Sequence, residues 1–281
     1  MEKKVSVLTP IYRTDEGFLR AAIESVLGQT FRDFELLLLD DCPEDDREKV
    51  VRSYDDPRIV YVRNERNLGI AESRNRLMDM AKGEYLAVFD HDDVCRPDRL
   101  EKQVAWLDAH PECGVVGGWT RLTTNKATNT YPEGDREIKY GLMSSPTLWH
   151  PASMIRASVL KDHGIRYEAE YSPVEDYMLW MRLLPHTVFH NLQEVVIDYR
   201  WHDGNTSVVR KKQLVAADLR VRAWAKVHYP ELYTEYEFRR RVVRRVRLFG
   251  VTILKITSVE RETDIRLFGA IPFLNIQRRF R

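Results

Sequence analysis

Two short apolar segments that each end in carboxylates place the strongest constraint on how this chain folds. Phe34–Leu39 is interrupted only by Glu35 and continues into Asp40-Asp41, and Tyr85–Phe89 continues into Asp90–Asp93, which contains three carboxylates. Strands without polar alternation are typical of parallel sheets that are covered on both faces. Because carboxylates this close together repel each other, the second group also needs a cation or several hydrogen-bond donors.

Segments with strand character alternate with segments of helical periodicity over the first 205 residues. Strands are predicted at residues 5–10, 34–39, 59–63, 85–89, 114–123, 152–156 and 194–200. Helices are predicted at residues 17–28, 45–54, 70–82, 97–109, 177–184 and 208–228. Gly83 is expected to end the third helix in a left-handed conformation. The alternation predicts an α/β fold with a mainly parallel central sheet flanked by helices.

In such a sheet, ligands bind beyond the carboxyl ends of the strands, and three polar strand ends meet that condition here. They are Pro10-Ile11-Tyr12, Asp40-Asp41 and Asp90–Asp93. The turn Thr9–Arg13 lacks the G-x-G-x-x-G of dinucleotide-binding domains, and no G-x-x-x-x-G-K-[ST] occurs. A diphosphate at this edge would therefore need a metal, and Mg²⁺ and Mn²⁺ select carboxylate oxygens. An acidic turn that caps the next helix is the alternative interpretation of Asp90–Asp93.

Composition limits the partners. With 43% hydrophobic and 31% charged residues, the chain is typical of globular proteins, and its net charge of +1 favours no nucleic-acid partner. Cys42, Cys95 and Cys113 lack C-x-x-C spacing, which indicates neither disulfides nor zinc and favours a reducing compartment. No signal sequence and no apolar run of about 18 residues is present. We expect a cytoplasmic protein with peripheral membrane contact.

The second half of the chain adds three candidate groups. Trp149-His150 forms an aromatic turn, Glu175-Asp176 precedes a helix, and His202 follows the last strand. The helix dipole alone explains two acids at a helix start, and a loop histidine is commonly just a surface residue. Residues 123–137 form a polar loop that could act as a lid.

Taken together, these segments resemble those of the family 2 glycosyltransferases, which have the GT-A fold. The matching segments are Val5–Tyr12, Ser25–Phe31, Phe34–Asp41, Asn67–Ala71 with Arg74-Asn75, Gly83–Asp93, Pro97–Leu100 and Glu175–Tyr177. The resemblance covers roughly residues 4–205, and the combination is more specific than any one segment. One departure is Asp40-Asp41-Cys42-Pro43, where the family usually has D-D-G-S, and this changes how the base or ribose would be held.

The resemblance implies transfer of a sugar from a nucleotide-sugar, with inversion at the anomeric carbon. The implied donor-side residues are Thr9, Pro10 and Tyr12 at the nucleobase, Asp41 and Asp40 at the base, Arg74 at the base or phosphates, Asp90 at the ribose, and Asp92 with His202 at a Mn²⁺ or Mg²⁺ ion. The implied transfer residues are Asp176 as the base that deprotonates the acceptor, Glu175 at the donor sugar or acceptor, and His150 and Trp149 at the acceptor.

UDP is the expected nucleotide on family frequency alone, and surface polysaccharide synthesis is the expected pathway. The implied domains are a catalytic domain over residues 1–205, divided into a nucleotide half (1–113) and an acceptor half (114–205), and an Arg-rich extension over 206–281 with helical and short-strand segments. One alternative is an inactive sugar-nucleotide-binding or scaffold protein of the same fold. A nucleotidyltransferase would normally show a glycine-rich N-terminal loop with a basic residue, which is absent here.

The C-terminal segment is strongly basic. On a helical wheel, Phe238–Phe249 separates into an apolar arc and an arginine arc, which predicts a cationic amphipathic helix. Such helices bind anionic membrane surfaces, so residues 238–281 are expected to hold the protein at the inner face of the cytoplasmic membrane, close to a lipid-linked saccharide acceptor. Packing of the apolar arc on the catalytic domain is the alternative. A near-repeat, Arg247–Ile256 and Arg266–Ile276, overlaps the helix at residues 247–249, so that a helix and short strands are competing interpretations there.

Overall fold

A computed structural model describes residues 3–45, 47–240, 242–248, 251–259, 262–267 and 275–279. The chain divides into two compact units, Met1–Ala223 and Trp224–Arg281. The boundary predicted after residue 205 falls inside the first unit. None of the described helices is long and apolar enough to cross a membrane.

The first unit alternates strands and helices, as the periodicity predicts. Its strands are β1 (Val5–Ile11), β2 (Phe34–Asp40), β3 (Ile59–Arg63), β4 (Tyr85–Val88), β5 (Val94–Cys95), β6 (Cys113–Leu122), β7 (Thr128–Asn129), β8 (Met154–Arg156) and β9 (Val188–Tyr199). Its helices are α1 (Glu16–Leu27), α2 (Glu48–Arg52), α3 (Ile70–Met80), α4 (Arg99–Ala109), α5 (Asp135–Leu142), α6 (Ala157–Asp162), α7 (Glu175–Leu183), α8 (Thr206–Val209) and α9 (Lys211–His228), the last of which continues into the second unit.

One sheet joins these strands in the order β3-β2-β1-β4-β8-β6-β9-β5, with β7 beside β6. The β3-β2-β1-β4 half is parallel throughout. Beyond it, β8 runs antiparallel to β4 and β6, while β6 and β9 are parallel. The α/β prediction is confirmed, and most residue pairs of the sheet are parallel, with short antiparallel pairings at β8, β7 and β5. β8 follows a one-turn helix at His150–Ala152.

The register brings the polar strand ends to one edge. Ile11 at the end of β1 lies beside Asp40 at the end of β2, and Asp40 lies beside Arg63 of β3. On the other side of β1, Leu8 pairs with Val88, the last residue of β4. Every residue of β1 and β2 is buried, so the sheet core fixes the positions of these ends.

Gly83 does not end α3 in the predicted left-handed conformation. The capping residue of α3 is Ala81, at φ −64° and ψ 134°, and Gly83 has no positive φ. Gly83 instead packs directly against β1, because a Cβ atom there would lie 2.4 Å from the Ser6 nitrogen. Its N–H donates to Ser6 Oγ at 2.8 Å. The requirement for glycine comes from this close approach of two backbones.

Gly83→Ala is therefore expected to lower the free energy of unfolding by about 1–3 kcal/mol, since the added methyl group forces β1 and the start of β4 apart. Urea unfolding followed by circular dichroism measures the change. Gly17→Ala in α1 is the matched control, because its Cβ atom would meet only the Asp15 side chain, at 3.2 Å. The control should change stability by at most about 1 kcal/mol. Equal effects of the two substitutions would contradict this account of Gly83.

The second unit contains α10 (Pro230–Arg240) and a four-stranded antiparallel sheet of β10 (Val242–Leu248), β11 (Val251–Val259), β12 (Glu262–Leu267) and β13 (Asn275–Arg279). The amphipathic helix predicted for residues 238–249 is thus wrong from Val242 onward. Three β-branched valines favour a strand here, and pairing with β11 satisfies the backbone groups of β10. Phe249, Gly250 and residues 268–274 of the near-repeat lie outside the described residues.

Candidate active site

The loop that follows β4 forms a compact acidic cluster. One carboxylate oxygen from each of Asp90, Asp92 and Asp93 lies within 4.8 Å of the others. Asp93 is fully buried, and its Oδ2 atom has no hydrogen-bond partner among the described residues. Burial, followed by the charge of Asp92, raises the pKa of Asp93 well above its usual value. An unsatisfied buried carboxylate beside two others fits a divalent cation, which would supply the missing positive charge.

The segment after β9 closes over this loop. The Arg200 backbone N–H donates to Asp93 Oδ1 at 2.9 Å, and the Arg200 Nε atom donates to the Asp92 carbonyl at 2.8 Å. His202 Nε2 lies 2.8 Å from Asp92 Oδ2. Residues 110 positions apart in the sequence are thus in direct contact. The structure brings together the two residues that the resemblance implies as metal ligands.

Asp40 and Asp41 already have several partners within the protein. Asp41 accepts hydrogen bonds from the Leu68 N–H at 2.8 Å and the Gly69 N–H at 2.9 Å, as well as from the Asn64 side chain. Asp40 accepts from the Cys42 N–H at 3.0 Å and the Tyr61 hydroxyl at 2.9 Å. Asp41 therefore holds the turn that leads into α3, and Asp40 holds the turn directly after β2. A contact from either carboxylate to a nucleobase stays a prediction.

Arg74 on α3 connects the acidic loop to the start of α7. Its Nη1 atom donates to Glu175 Oε1 at 2.6 Å, and its Nη2 atom donates to Asp90 Oδ1 at 3.3 Å. The Arg74 and Glu175 side chains are only 9% and 5% exposed. Burial opposes the charge of Arg74, yet Glu175 and Asp90 raise its pKa above the usual value. Arg74 is therefore positively charged, and it lies between the acidic loop after β4 and the start of α7.

Asp176 lies in the first turn of α7, next to this ion pair. Its Oδ1 atom accepts the Tyr177 N–H at 2.8 Å. Burial, and then the neighbouring charge of Glu175, raise the pKa of Asp176 to about 7. A carboxylate with this pKa can take up a proton near neutral pH, which suits a general base.

The first strand places the remaining donor-side residues at the same edge of the sheet. Thr9 is buried, and its Oγ1 atom has no partner among the described residues. Pro10 lies beside Leu39 in the sheet. Tyr12 follows the strand with 43% of its surface exposed and with the Arg13 guanidinium above its ring. An exposed ring suits stacking on a base.

His150 and Trp149 occupy different environments. His150 is buried, with Nε2 2.8 Å from the Tyr167 hydroxyl, and its ring contacts Trp180. Burial, and then the charge of Arg74, lower the pKa of His150 well below its usual value, so the ring is neutral. Trp149 is half-buried and meets Tyr199 edge-on at 5.1 Å. His150 therefore supports the site from within, and acceptor contacts by either residue stay a prediction.

Several supporting residues were missed from sequence. Arg99 is fully buried and donates to the Val88 carbonyl at 2.8 Å, which fixes the end of β4. Arg99 lies in the Pro97–Leu100 segment, so the family resemblance could have indicated that it is important. The Asn75 side chain donates to the Tyr167 carbonyl and accepts the Tyr167 N–H, with both distances at 2.9 Å. Nothing near Tyr167 in the sequence indicates that contact, because the two residues are 92 positions apart.

Comparisons with known proteins agree with this geometry. The family model described as Glycosyl transferase family 2 matches residues 6–164, more than half of the chain. An uncharacterized glycosyltransferase of Methanocaldococcus jannaschii, MJ1057, is 30% identical over 221 residues, 75% of this chain and 76% of that protein. The Escherichia coli UDP-Glc:alpha-D-GlcNAc-diphosphoundecaprenol beta-1,3-glucosyltransferase WfaP is 28% identical over 220 residues, 75% of this chain and 82% of that protein.

Two solved structures share the fold. S. aureus TarS 1-349 in complex with UDP-GlcNAc superposes with a TM-score of 0.64 at 21% identity, covering 83% of this chain and 71% of that one. The mannosyltransferase PcManGT from Pyrobaculum calidifontis in complex with GDP-Man and Mn²⁺ has a TM-score of 0.61 at 15% identity, covering 84% of this chain and 73% of that one. Family match, sequence relatives and fold lead to one conclusion: the chain belongs to glycosyltransferase family 2 and is a transferase with the GT-A fold.

Proposed function

We propose that the protein is an inverting, divalent-metal-dependent glycosyltransferase that uses a UDP-sugar. The observation that carries the proposal is the arrangement of Asp92, His202, Arg74, Glu175 and Asp176. An acidic cluster that fits a cation is joined through one buried arginine to Glu175, and the neighbouring Asp176 has a pKa raised to about 7. These are the two requirements of an inverting transfer, a charged group for the leaving diphosphate and a base for the acceptor.

In the proposed reaction, Asp92 and His202 would hold the metal, and Asp90 would contact the ribose. The cation, when bound, neutralises charge that develops on the leaving nucleoside diphosphate. Asp176 takes the proton from the acceptor hydroxyl as that oxygen bonds to the anomeric carbon. The bond from the anomeric carbon to the phosphate oxygen breaks, and the nucleoside diphosphate leaves with its electron pair. Glu175 stays paired with Arg74 and contacts the donor sugar or acceptor.

The substrate classes rest on the relatives. The name of WfaP gives UDP-glucose as its donor and a saccharide on a diphosphate-linked polyprenol as its acceptor. The TarS and PcManGT complexes contain UDP-GlcNAc, and GDP-Man with Mn²⁺. For this chain we propose a UDP-sugar, Mn²⁺ or Mg²⁺, and a lipid-linked saccharide acceptor in bacterial surface polysaccharide synthesis. Such an acceptor places the protein at the inner face of the cytoplasmic membrane. An inactive binding protein would not need Asp176 as a base.

The nucleotide site is tested by thermal unfolding with UDP, GDP and dTDP, each with and without Mn²⁺. Ligand that binds the native state raises the melting temperature, so we expect stabilisation by UDP that requires Mn²⁺. Asp92→Asn should remove the metal-dependent part of the shift, because it takes away a carboxylate that contacts His202. Asp162→Asn, at the end of α6, is the matched control and should keep the full shift. Metal-independent stabilisation by UDP in the wild type would contradict the metal assignment.

A further inference from the structure

Helix α9 exposes apolar side chains on the side opposite its packed face. Ala217 and Val221 are buried, with 5% and 0% of their surface exposed. Val215 and Leu219, which lie one turn apart on another side, are 53% and 56% exposed. Val209, just before α9, is 68% exposed. Single exposed apolar residues are ordinary, but two on adjacent turns of one helix, with a third just before that helix, indicate a surface that contacts a partner or a membrane.

Cationic side chains border these apolar residues. Arg210, Lys211 and Lys212 are consecutive and all exposed. Between residues 206 and 223 the only acidic residue is Asp218, and its carboxylate pairs with Arg222 at 2.6 Å. Within the part of the chain that the structure describes, Lys211 and Lys212 form no ion pair. Lys211 and Lys212, at the start of α9, are therefore exposed positive charges without an ion-pair partner among the described residues.

We propose that this surface, the α9 face (Val209–Lys212, Val215 and Leu219), docks on an anionic lipid membrane. Apolar side chains bordered by cations are the combination by which amphipathic helices lie in the membrane interface. Lysines close to an anionic surface contribute about 1 kcal/mol each to binding. The positive charge of the α9 face favours an anionic membrane over a second copy of the chain. In a contact between two copies of this face, the same cations would lie opposite each other and repel.

The α9 face is firmly connected to the candidate active site. Asn205, directly before α8, accepts the His202 N–H at 2.6 Å, and His202 in turn contacts Asp92. Trp201, directly before His202, is 48% exposed, and tryptophan is enriched at membrane interfaces. Arg220 donates to the Glu170 carbonyl at 3.1 Å, which holds α9 against the segment before α7. Docking of the α9 face would thus bring the candidate active site close to a lipid-linked acceptor. The acceptor is part of the proposed function, and the inference rests on that proposal.

The test is co-sedimentation of the full chain with phosphatidylcholine vesicles, with and without phosphatidylglycerol. The wild type should bind only the anionic vesicles, and salt should weaken binding. Lys211→Gln/Lys212→Gln should weaken vesicle binding about 30-fold, from about 1 kcal/mol for each lysine. Val215→Gln/Leu219→Gln should weaken it at least about tenfold, since both half-exposed side chains would lose their apolar contact. Lys126→Gln/Lys161→Gln removes two other exposed lysines and should bind as the wild type does.

Each variant is also melted with and without UDP and Mn²⁺, so that loss of folding is recognised and the two proposals are judged separately. Weak vesicle binding with an unchanged nucleotide shift supports the α9 face. Vesicle binding that equals the wild type in both α9 variants overturns it and assigns any membrane contact to residues 238–281. A change in oligomeric state on light scattering, with vesicle binding intact, also overturns it and makes the face a contact between copies. A missing nucleotide shift in the wild type would contradict the proposed function and leave the vesicle result standing.

Discussion

Asp176→Asn is expected to lower kcat for sugar transfer by about 10²–10⁴-fold, the usual contribution of a positioned general base. An amide at this position cannot take the proton from the acceptor hydroxyl. The residues proposed to bind the nucleotide lie on other elements, so the UDP-dependent and Mn²⁺-dependent thermal shift should stay unchanged. Transfer is measured as release of UDP in the presence of acceptor, with Asp162→Asn as the control for loss of a carboxylate.

The pH profile gives an independent test of the same residue. A base works only when it is deprotonated, and the pKa of Asp176 is raised to about 7 by burial and by Glu175. The value of kcat/KM, which reports the free enzyme, should therefore fall about tenfold per pH unit below pH 7 and level off above it. Asp176→Asn should lose this dependence along with most of its activity. A variant that transfers sugar at the wild-type rate would show that another group accepts the proton.

The parallel half of the fold was predictable because its signal is local. Uninterrupted apolar strands such as Phe34–Leu39 specify burial on both faces, and the direction of parallel strands then sets which edge holds their polar ends. The placement of Asp40-Asp41 and Asp90–Asp93 at the same edge of the sheet follows from that rule, and the parallel register of β1 with β2 and β4 agrees with it. That both groups line one pocket stays a prediction. The direction of β8 was not predictable, because a strand of three residues is too short for its sequence to indicate which strands it pairs with or in which direction.

The candidate site shows the same limit. Asp92 and His202 were assigned to one metal from the family resemblance, and the structure places them in contact. Their contact depends on how β9 returns to the sheet, which no local pattern specifies. The same holds for Arg74, which was expected near the nucleotide but also pairs with Glu175, 101 positions away. In the C-terminal unit, the sequence around Val242–Leu248 is compatible with both a helix and a strand. The structure has a strand there, and it pairs with β11.

Arg74→Met is expected to lower the free energy of unfolding by about 3–5 kcal/mol, because it leaves the buried Glu175 carboxylate without its positive partner. Glu175 is 5% exposed, and its Oε2 atom already lacks a partner among the described residues, so without Arg74 only the N-terminal dipole of α7 would stabilise its charge. The free energy of unfolding is measured by urea denaturation, from the midpoint of the transition and the slope of the free energy against urea concentration. Arg166→Met is the matched control. Its pair with Asp79 is bidentate but 47% and 60% exposed, so its loss should cost less than about 1 kcal/mol.

A second substitution separates the loss of a charge partner from the loss of packing. Arg74→Met/Glu175→Met removes both charges, and replacement of a buried ion pair by apolar side chains is commonly neutral or stabilising. The double variant should therefore recover most of the stability that Arg74→Met loses, while transfer stays low because the link between Asp90 and the start of α7 is gone. If the double variant is as unstable as the single one, Arg74 stabilises the protein through its packing on Tyr167. In that case the ion pair does not determine how the acidic loop and Asp176 are held together.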